Sequence, residues 1–206
     1  MMKSIRLLTA LMFLFVPGVT AAFGQSGGPG HPQAGSEPAS SASNKYFTDV
    51  LLIDQDGKSQ RLYSDLIKGR VVIVNAMFTT CVSVCPMMNH NMQMIQERLG
   101  DRLGKDVVML SFTVDPANDT PPALKAYAAK FQAKPGWYFL TGKKESLEFA
   151  LRKFGQHVEN RDDHTTLIII GNDRTGLWKK AFGMAKTAAL IEVVETVLND
   201  TAADAK

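Results

Sequence analysis

The stretch Val71-Val-Ile-Val-Asn-Ala-Met-Phe-Thr-Thr-Cys-Val-Ser-Val-Cys-Pro86 decides how the chain folds, and it carries both cysteines of the molecule. Val71, Val72, Ile73 and Val74 form an apolar, β-branched run too short for a helix, which predicts a buried strand of a sheet covered on both faces. Pro86 suits the first position of a helix, and apolar residues recur beyond it at helical spacing: Met88, Met92, Ile95, Leu99 and Leu103. The pattern is strand, cysteine loop, helix. Both sulfurs then lie where backbone N–H groups and the helix dipole favour negative charge, which lowers a thiol pKa and promotes the thiolate.

Working outward, residues 46–53 and 59–62 flank Asp54-Gln-Asp-Gly57, a turn sequence that predicts a short N-terminal β-hairpin. Lys68-Gly69 turns the chain into the central strand. Beyond the long helix, residues 107–114 read as another buried strand, ending in Asp115-Pro-Ala-Asn-Asp-Thr-Pro-Pro122. Asp119 or Thr120 can cap a helix there and Pro121 can begin it, with Leu124, Tyr127, Ala128 and Phe131 on one face. Residues 137–140 predict a short strand. Residues 143–154 predict a helix with Leu147, Ala150, Leu151 and Phe154 inward and Gly155 as its stop. Residues 164–171 form a third apolar strand, residues 177–182 return antiparallel, and residues 188–198 close the chain as an amphipathic helix capped by Thr187. Strands separated by helices, with an antiparallel ending, predict a three-layer α/β domain whose loops at strand C-termini carry function.

The N-terminus reads as a basic, then apolar, then small-residue leader over residues 1–24. Its apolar run is shorter than the roughly 20 residues of a membrane span, so a cleaved signal peptide is expected, with an uncleaved anchor as the alternative. Residues 25–44 are rich in Gly, Ser, Pro, Ala and Gln and predict a flexible tether. Residues 45–199 make one domain, and residues 200–206 a disordered tail. Without Lys3 and Arg6 the 23 basic residues become 21 against 20 acidic ones, a balance that supports neither nucleic acid nor an anionic membrane surface as partner. Two cysteines are too few to staple a domain of this size, which leaves the pair free for chemistry.

A Cys-x-x-x-Cys loop brings two thiols within reach of a disulfide or of a shared metal ion. An inert structural disulfide is the plainer alternative, although so short a loop removes little unfolded-state entropy. His164 stands immediately before a core strand, where a thioredoxin-type sheet places a loop beside the cysteine loop. Two thiolates and one imidazole form a soft, low-coordinate set that suits copper, above all Cu(I), and zinc would accept the same ligands. Met77, Met87, Met88, Met92 and Met94 crowd the loop. They read as packing, with Met87 and Met88 as auxiliary thioether candidates. His31 falls in the tether, and His90 and His157 read as exposed polar positions.

These residues resemble the Sco/SenC family of copper-binding, thioredoxin-fold proteins. The resemblance rests on Phe78-Thr79-Thr80-Cys81 through Cys85-Pro86, on Asp115-Pro116 with Asp119-Thr120-Pro121, and on Asp163-His164. It implies a thioredoxin-like fold, a central mixed sheet flanked by helices after the N-terminal hairpin. It also implies copper, as Cu(I) or Cu(II), held by Cys81, Cys85 and His164, with Asp115 as a neighbouring acidic residue. The family is associated with the dinuclear copper centre of cytochrome c oxidase, so the implied partner is subunit II of that oxidase or another exported copper protein. A thiol reductant is a second partner, and the implied location is periplasmic.

Two departures from the family pattern are visible. Val82-Ser83-Val84 is less acidic than the usual intervening residues, and the interval from Phe154 to His164 is short. Two functions follow. In the first the chain is a copper chaperone. In the second Cys81 attacks and Cys85 resolves in a thiol–disulfide oxidoreductase acting on exported cysteine pairs. Thr165 stands where thioredoxin-like reductases place a cis-proline, which weighs against a general reductase.

Overall fold

The computed structural model describes residues 45–201; the expected leader (1–24), the tether (25–44) with His31, and tail residues 202–206 lie outside the described residues. Among the described residues seven strands and four longer α-helices follow in chain order. They are β1 (Leu51–Ile53), β2 (Ser59–Arg61), β3 (Val71–Met77), α1 (Val84–Leu99), β4 (Val107–Thr113), α2 (Pro121–Lys130), β5 (Trp137–Leu140), α3 (Lys144–Lys153), β6 (Leu167–Asn172), β7 (Trp178–Phe182) and α4 (Thr187–Leu198).

The main sheet has the order β5-β4-β3-β6-β7, and β1 and β2 form a separate antiparallel hairpin. Strands β3, β4 and β5 run parallel, with α1 and α2 as the crossovers that parallel neighbours require. β6 and β7 are antiparallel, joined by a tight turn. This is the expected thioredoxin-like architecture, a mixed sheet with helices on both faces and an N-terminal hairpin. The hairpin is tied to the sheet by reciprocal backbone bonds between Ile53 and Thr141, each 2.8 Å.

Every residue of β3 and β4 is buried because both faces of the sheet are covered. Alternate residues therefore sort into two cores. Val71, Ile73 and Met77 face α1, α2 and α4, together with Met88, Met92, Ile95, Leu124, Tyr127, Leu190 and Val194. Val72, Val74 and Ala76 face α3 and the hairpin, together with Leu62, Leu66, Phe112, Leu147, Leu151 and Phe154. At the end of the sheet away from the cysteines the loops before β4 and β5 touch. A Cβ on Gly136 would stand 2.4 Å from the backbone nitrogen of Gly104, so only glycine permits that approach.

Several local expectations are corrected. The long helix begins at Val84, two residues before Pro86, so Pro86 is its third residue and Cys85 already belongs to it. It ends at Leu99, where Gly100 takes positive φ (+52°), and Leu103 lies beyond a 3₁₀ turn (Gly100–Arg102) rather than on the helix. The third core strand begins at Leu167, leaving His164 in a loop. Thr187 is the first residue of α4, not its cap; its hydroxyl donates to Asn91 Oδ1 across to α1 (2.7 Å). Residues Leu62–Ile67 form a π-helix that periodicity did not signal. Of the two cap candidates before α2, Thr120 is the cap, its hydroxyl accepting from the Ala123 N–H. Asp200, where the tail was expected to begin, accepts a bond from Asn172 through its carbonyl (3.2 Å).

Candidate metal centre

The site forms at the C-terminal end of β3, where the chain turns through Phe78-Thr-Thr-Cys81 and enters α1. The Cys81 N–H donates to the Phe78 carbonyl (3.2 Å), closing that turn. Cys81 is thus held by a loop, while Cys85 is held by the second residue position of a helix. His164 arrives from 79 residues further on. It follows a 3₁₀ turn (Arg161–Asp163) in which the Asn160 side chain accepts from the Asp162 N–H.

The ligand-capable atoms of Cys81, Cys85 and His164 all lie within 4.8 Å of one another, and all three residues are buried. His164 Nε2 stands 3.2 Å from Cys85 Sγ. Its Nδ1 stands 3.0 Å from the Arg161 carbonyl oxygen, which can only accept. The proton therefore sits on Nδ1, and the Nε2 lone pair faces the sulfurs. Burial holds the imidazole pKa below its ordinary value, opposed by that bond and by the charge of Asp162, so the neutral, ligating form dominates.

The ring is held from the side as well. Phe78 meets it edge-on at 5.3 Å between centroids, and the Arg161 guanidinium lies 5.2 Å over Phe78. Arg161 forms an ion pair with Asp115, whose carboxylate also accepts from Asn118 Nδ2 (2.9 and 3.0 Å). On the other flank β7 ends against α1. A Cβ on Gly183 would meet the Thr166 carbonyl at 2.8 Å and Met88 Sδ at 2.9 Å, so the bare glycine lets the end of β7 approach both the segment after His164 and α1.

The two thiols differ. Burial pushes the Cys81 pKa up, but hydrogen bonds from the Cys85 thiol, from the Cys85 and Ser83 N–H groups and from the Ser83 hydroxyl outweigh it, and the net shift is downward. Burial pushes the Cys85 thiol far up, and its bond to Cys81 adds to this. A helix N-terminus was expected to favour both thiolates; it does so for Cys81 only, because Cys85 is fully buried. The set is two sulfurs and one neutral imidazole nitrogen, with no carboxylate among them, which is the donor chemistry of a soft metal ion rather than of magnesium or calcium.

The sequence singled out Cys81, Cys85 and His164, and the structure brings these three together. Asp115 lies one step away, reaching the site through Arg161, a residue that the sequence left inside a polar stretch with no distinguishing signal. Of the two auxiliary thioether candidates, Met88 is fully buried in the core cluster and Met87 is exposed. His90 is exposed as expected, whereas His157 is half-buried, with a buried Nδ1 that has no partner. Among the described residues no helix is long and apolar enough to cross a membrane.

The SCO1/SenC family model matches residues 38–199. A SCO1 protein homolog of Bacillus subtilis is 38% identical over 118 residues, 56% of this chain and 60% of that protein. The chain thus spans about three fifths of that relative's length. The crystal structure of a SCO1/SenC family lipoprotein from Bacillus anthracis superposes with a TM-score of 0.62 at 30% identity, covering 74% of this chain and 95% of that one. Arabidopsis thaliana ScoI with copper bound gives a TM-score of 0.61, covering 74% of this chain and 98% of that one; at 23% identity this likeness speaks to the fold.

Proposed function

The chain belongs to the SCO1/SenC family, and from that premise we propose that it is an exported copper-binding protein that carries copper to the dinuclear centre of cytochrome c oxidase. The observation that carries the reading is the convergence of Cys81 Sγ, Cys85 Sγ and a lone pair on His164 Nε2 within 4.8 Å, with the histidine tautomer set by the Arg161 carbonyl. Copper is the cargo, and low coordination by soft ligands is what makes it transferable. Cys81 lies in a loop with Val82 fully outside, so a recipient's thiolate or imidazole can approach from that side and displace the ligands one at a time. The proton on Cys85 leaves when the metal binds, since a coordinating thiol is deprotonated. A lipoprotein among the solved relatives supports an exported, membrane-associated location, and periplasmic delivery to oxidase subunit II is the form proposed here.

The asymmetry of the thiols favours a second reading. Cys81, the more exposed, has the lowered pKa of an attacking thiol; Cys85, buried beside it, is placed to resolve a mixed disulfide. In that step the Cys81 thiolate attacks a disulfide sulfur of an exported protein. Cys85 then attacks Cys81, leaving the 81–85 disulfide and a reduced substrate.

The test is an anaerobic titration of the reduced protein with Cu(I) and then Cu(II) against a competing chelator, repeated for Cys81→Ser, Cys85→Ser and His164→Ala. One tightly held copper per chain, lost in all three variants, supports the carrier. Copper binding indifferent to the three substitutions overturns it. His164→Ala separates the readings, because it removes a copper ligand and leaves both thiols available for exchange.

A further inference from the structure

Asp119 and Thr120 were alternative candidates for the helix cap before α2. Thr120 caps α2 alone, and the Asp119 carboxylate is turned to the opposite side, fully buried. Its Oδ1 accepts from the Thr79 hydroxyl and from the Thr79 N–H (3.2 Å). Its Oδ2 accepts from the same N–H (3.1 Å) and from the Thr113 hydroxyl at the end of β4. Thr113 Oγ1 in turn accepts from the Asp115 N–H (2.9 Å), and the Asp119 N–H donates to the Asp115 carbonyl (2.9 Å). One carboxylate thus binds the β4–α2 loop to the second residue of the turn that runs from Phe78 to Cys81. No other acidic side chain reaches this turn among the described residues.

That turn touches all three members of the cluster. Phe78 braces the His164 ring, Cys81 ends the turn, and the Cys81 sulfur lies against the helix-borne Cys85. α1 fixes Cys85 independently, so the separation and angle of the two sulfurs depend on where the turn is held. A buried carboxylate accepting several hydrogen bonds is a stiff fixture, because releasing it leaves the charge unpaired in a low-dielectric interior.

We propose that Asp119 is the positioning residue of the copper site: its carboxylate, clamped to Thr79 and Thr113, sets the loop-borne Cys81 at ligating distance and angle from Cys85 and His164. The inference rests on the copper-binding reading above. It makes Thr79 the working partner, through one hydroxyl and one N–H, and Thr113 the anchor. Substituting the carboxylate moves Cys81 without touching a ligand.

The test compares Asp119→Asn, Thr79→Val and Thr79→Ser with the wild-type chain. Three quantities are read: Cu(I) affinity by chelator competition, the position of the sulfur-to-copper(II) charge-transfer band, and the reduction potential of the Cys81–Cys85 pair. Thermal unfolding is measured alongside, and all copper work is done well below the lowest midpoint. Asp119→Asn is expected to weaken copper binding by about 10- to 100-fold, the range seen when groups that orient ligands are removed, and to shift the band. Thr79→Val changes both in the same direction by less, and Thr79→Ser, which keeps the hydroxyl, restores them. A folded Asp119→Asn with wild-type affinity, band and potential overturns the proposal. If that variant does not fold, Thr79→Val decides: an unshifted band and affinity in it overturn the proposal equally. Should the wild-type chain itself hold no copper, the carrier reading fails by itself, and the potential of the cysteine pair in the same variants still tests whether Asp119 positions Cys81.

Discussion

The two faces of the central sheet are built from the same strands and do different work. The face toward α3 and the hairpin is filled with Leu, Ile, Val and Phe, with Phe112, Leu66 and Leu52 fully buried. The face toward α1, α2 and α4 holds the cysteines, four buried core methionines and a chain of buried polar groups. There Ser111 Oγ donates to Asn75 Oδ1 (2.6 Å), Asn75 Nδ2 to Asn89 Oδ1 (3.0 Å), Asn89 Nδ2 to the Tyr127 hydroxyl (3.0 Å), and Trp137 Nε1 to Ser111 (2.9 Å). Asn75 comes from the same strand as Val74 and Ala76, one residue out of phase with them. A period of two is enough to place a hydrogen-bonded network on one face and a greasy one on the other. The difference is one of labour: one face is apolar packing, and the other ties α1, the helix that carries Cys85, to the sheet through Asn89.

That division can be broken or sharpened by measurement. The largest expected effect is at the site itself: Cys85→Ser should lower Cu(I) affinity by more than about a hundredfold, the upper reach of changes made outside a ligand set, with the circular dichroism unchanged. Fold loss together with copper loss would show that the site face also carries stability. On the opposite face Phe112→Ala should cost about 3–5 kcal/mol in denaturant titration, and copper affinity of the folded protein should stay at the wild-type value. Phe112 packs on Phe154 at 5.5 Å and has no exposed surface to soften the loss.

Smaller and more telling is Asn75→Ala, which leaves Ser111 and Asn89 short of a partner and should cost about 1–3 kcal/mol. If it also shifts the charge-transfer band, the network positions Cys85; if only stability moves, the network is structural. The smallest effect is in pH. His164 has a folded pKa below its ordinary 6.5, so the unfolded chain takes up the proton first. Stability should be level above about pH 6.5 and decline as pH falls from there through the lower folded value, and His164→Gln should flatten that slope. A slope unchanged in the variant would assign it to other groups.

Much of this could be read from residue order. The strands at Val71, Val107 and Trp137 announced themselves by β-branched and aromatic runs, and the cysteine loop by its position between strand and helix. The π-helix over Leu62–Ile67 did not, because six residues with Ser64 and Asp65 in their middle offer no helical period. His164 was legible as a ligand candidate through its resemblance to a family pattern and its place before a strand. Arg161, whose carbonyl selects the tautomer, was not, since nothing in a polar run distinguishes one backbone carbonyl from the next. Asp119 was visible but misassigned between two cap candidates, because capping is a local rule and the pull of Thr79, 40 residues earlier in the chain, is not.

Residue order by itself determined the alternation of strands and helices, the pairing of two thiols in one loop and the soft character of the donor set, because periodicity, propensity and ligand chemistry are properties of neighbouring residues. Tertiary structure alone decided which thiol is the more acidic of the two, which nitrogen of His164 is free, and which carboxylate holds the loop. Those depend on burial and on partners that are remote in sequence: the core packed around Cys85 raises its pKa, and His164 and Asp119 meet the cysteine loop only once β6 and α2 have docked beside β3 and β4.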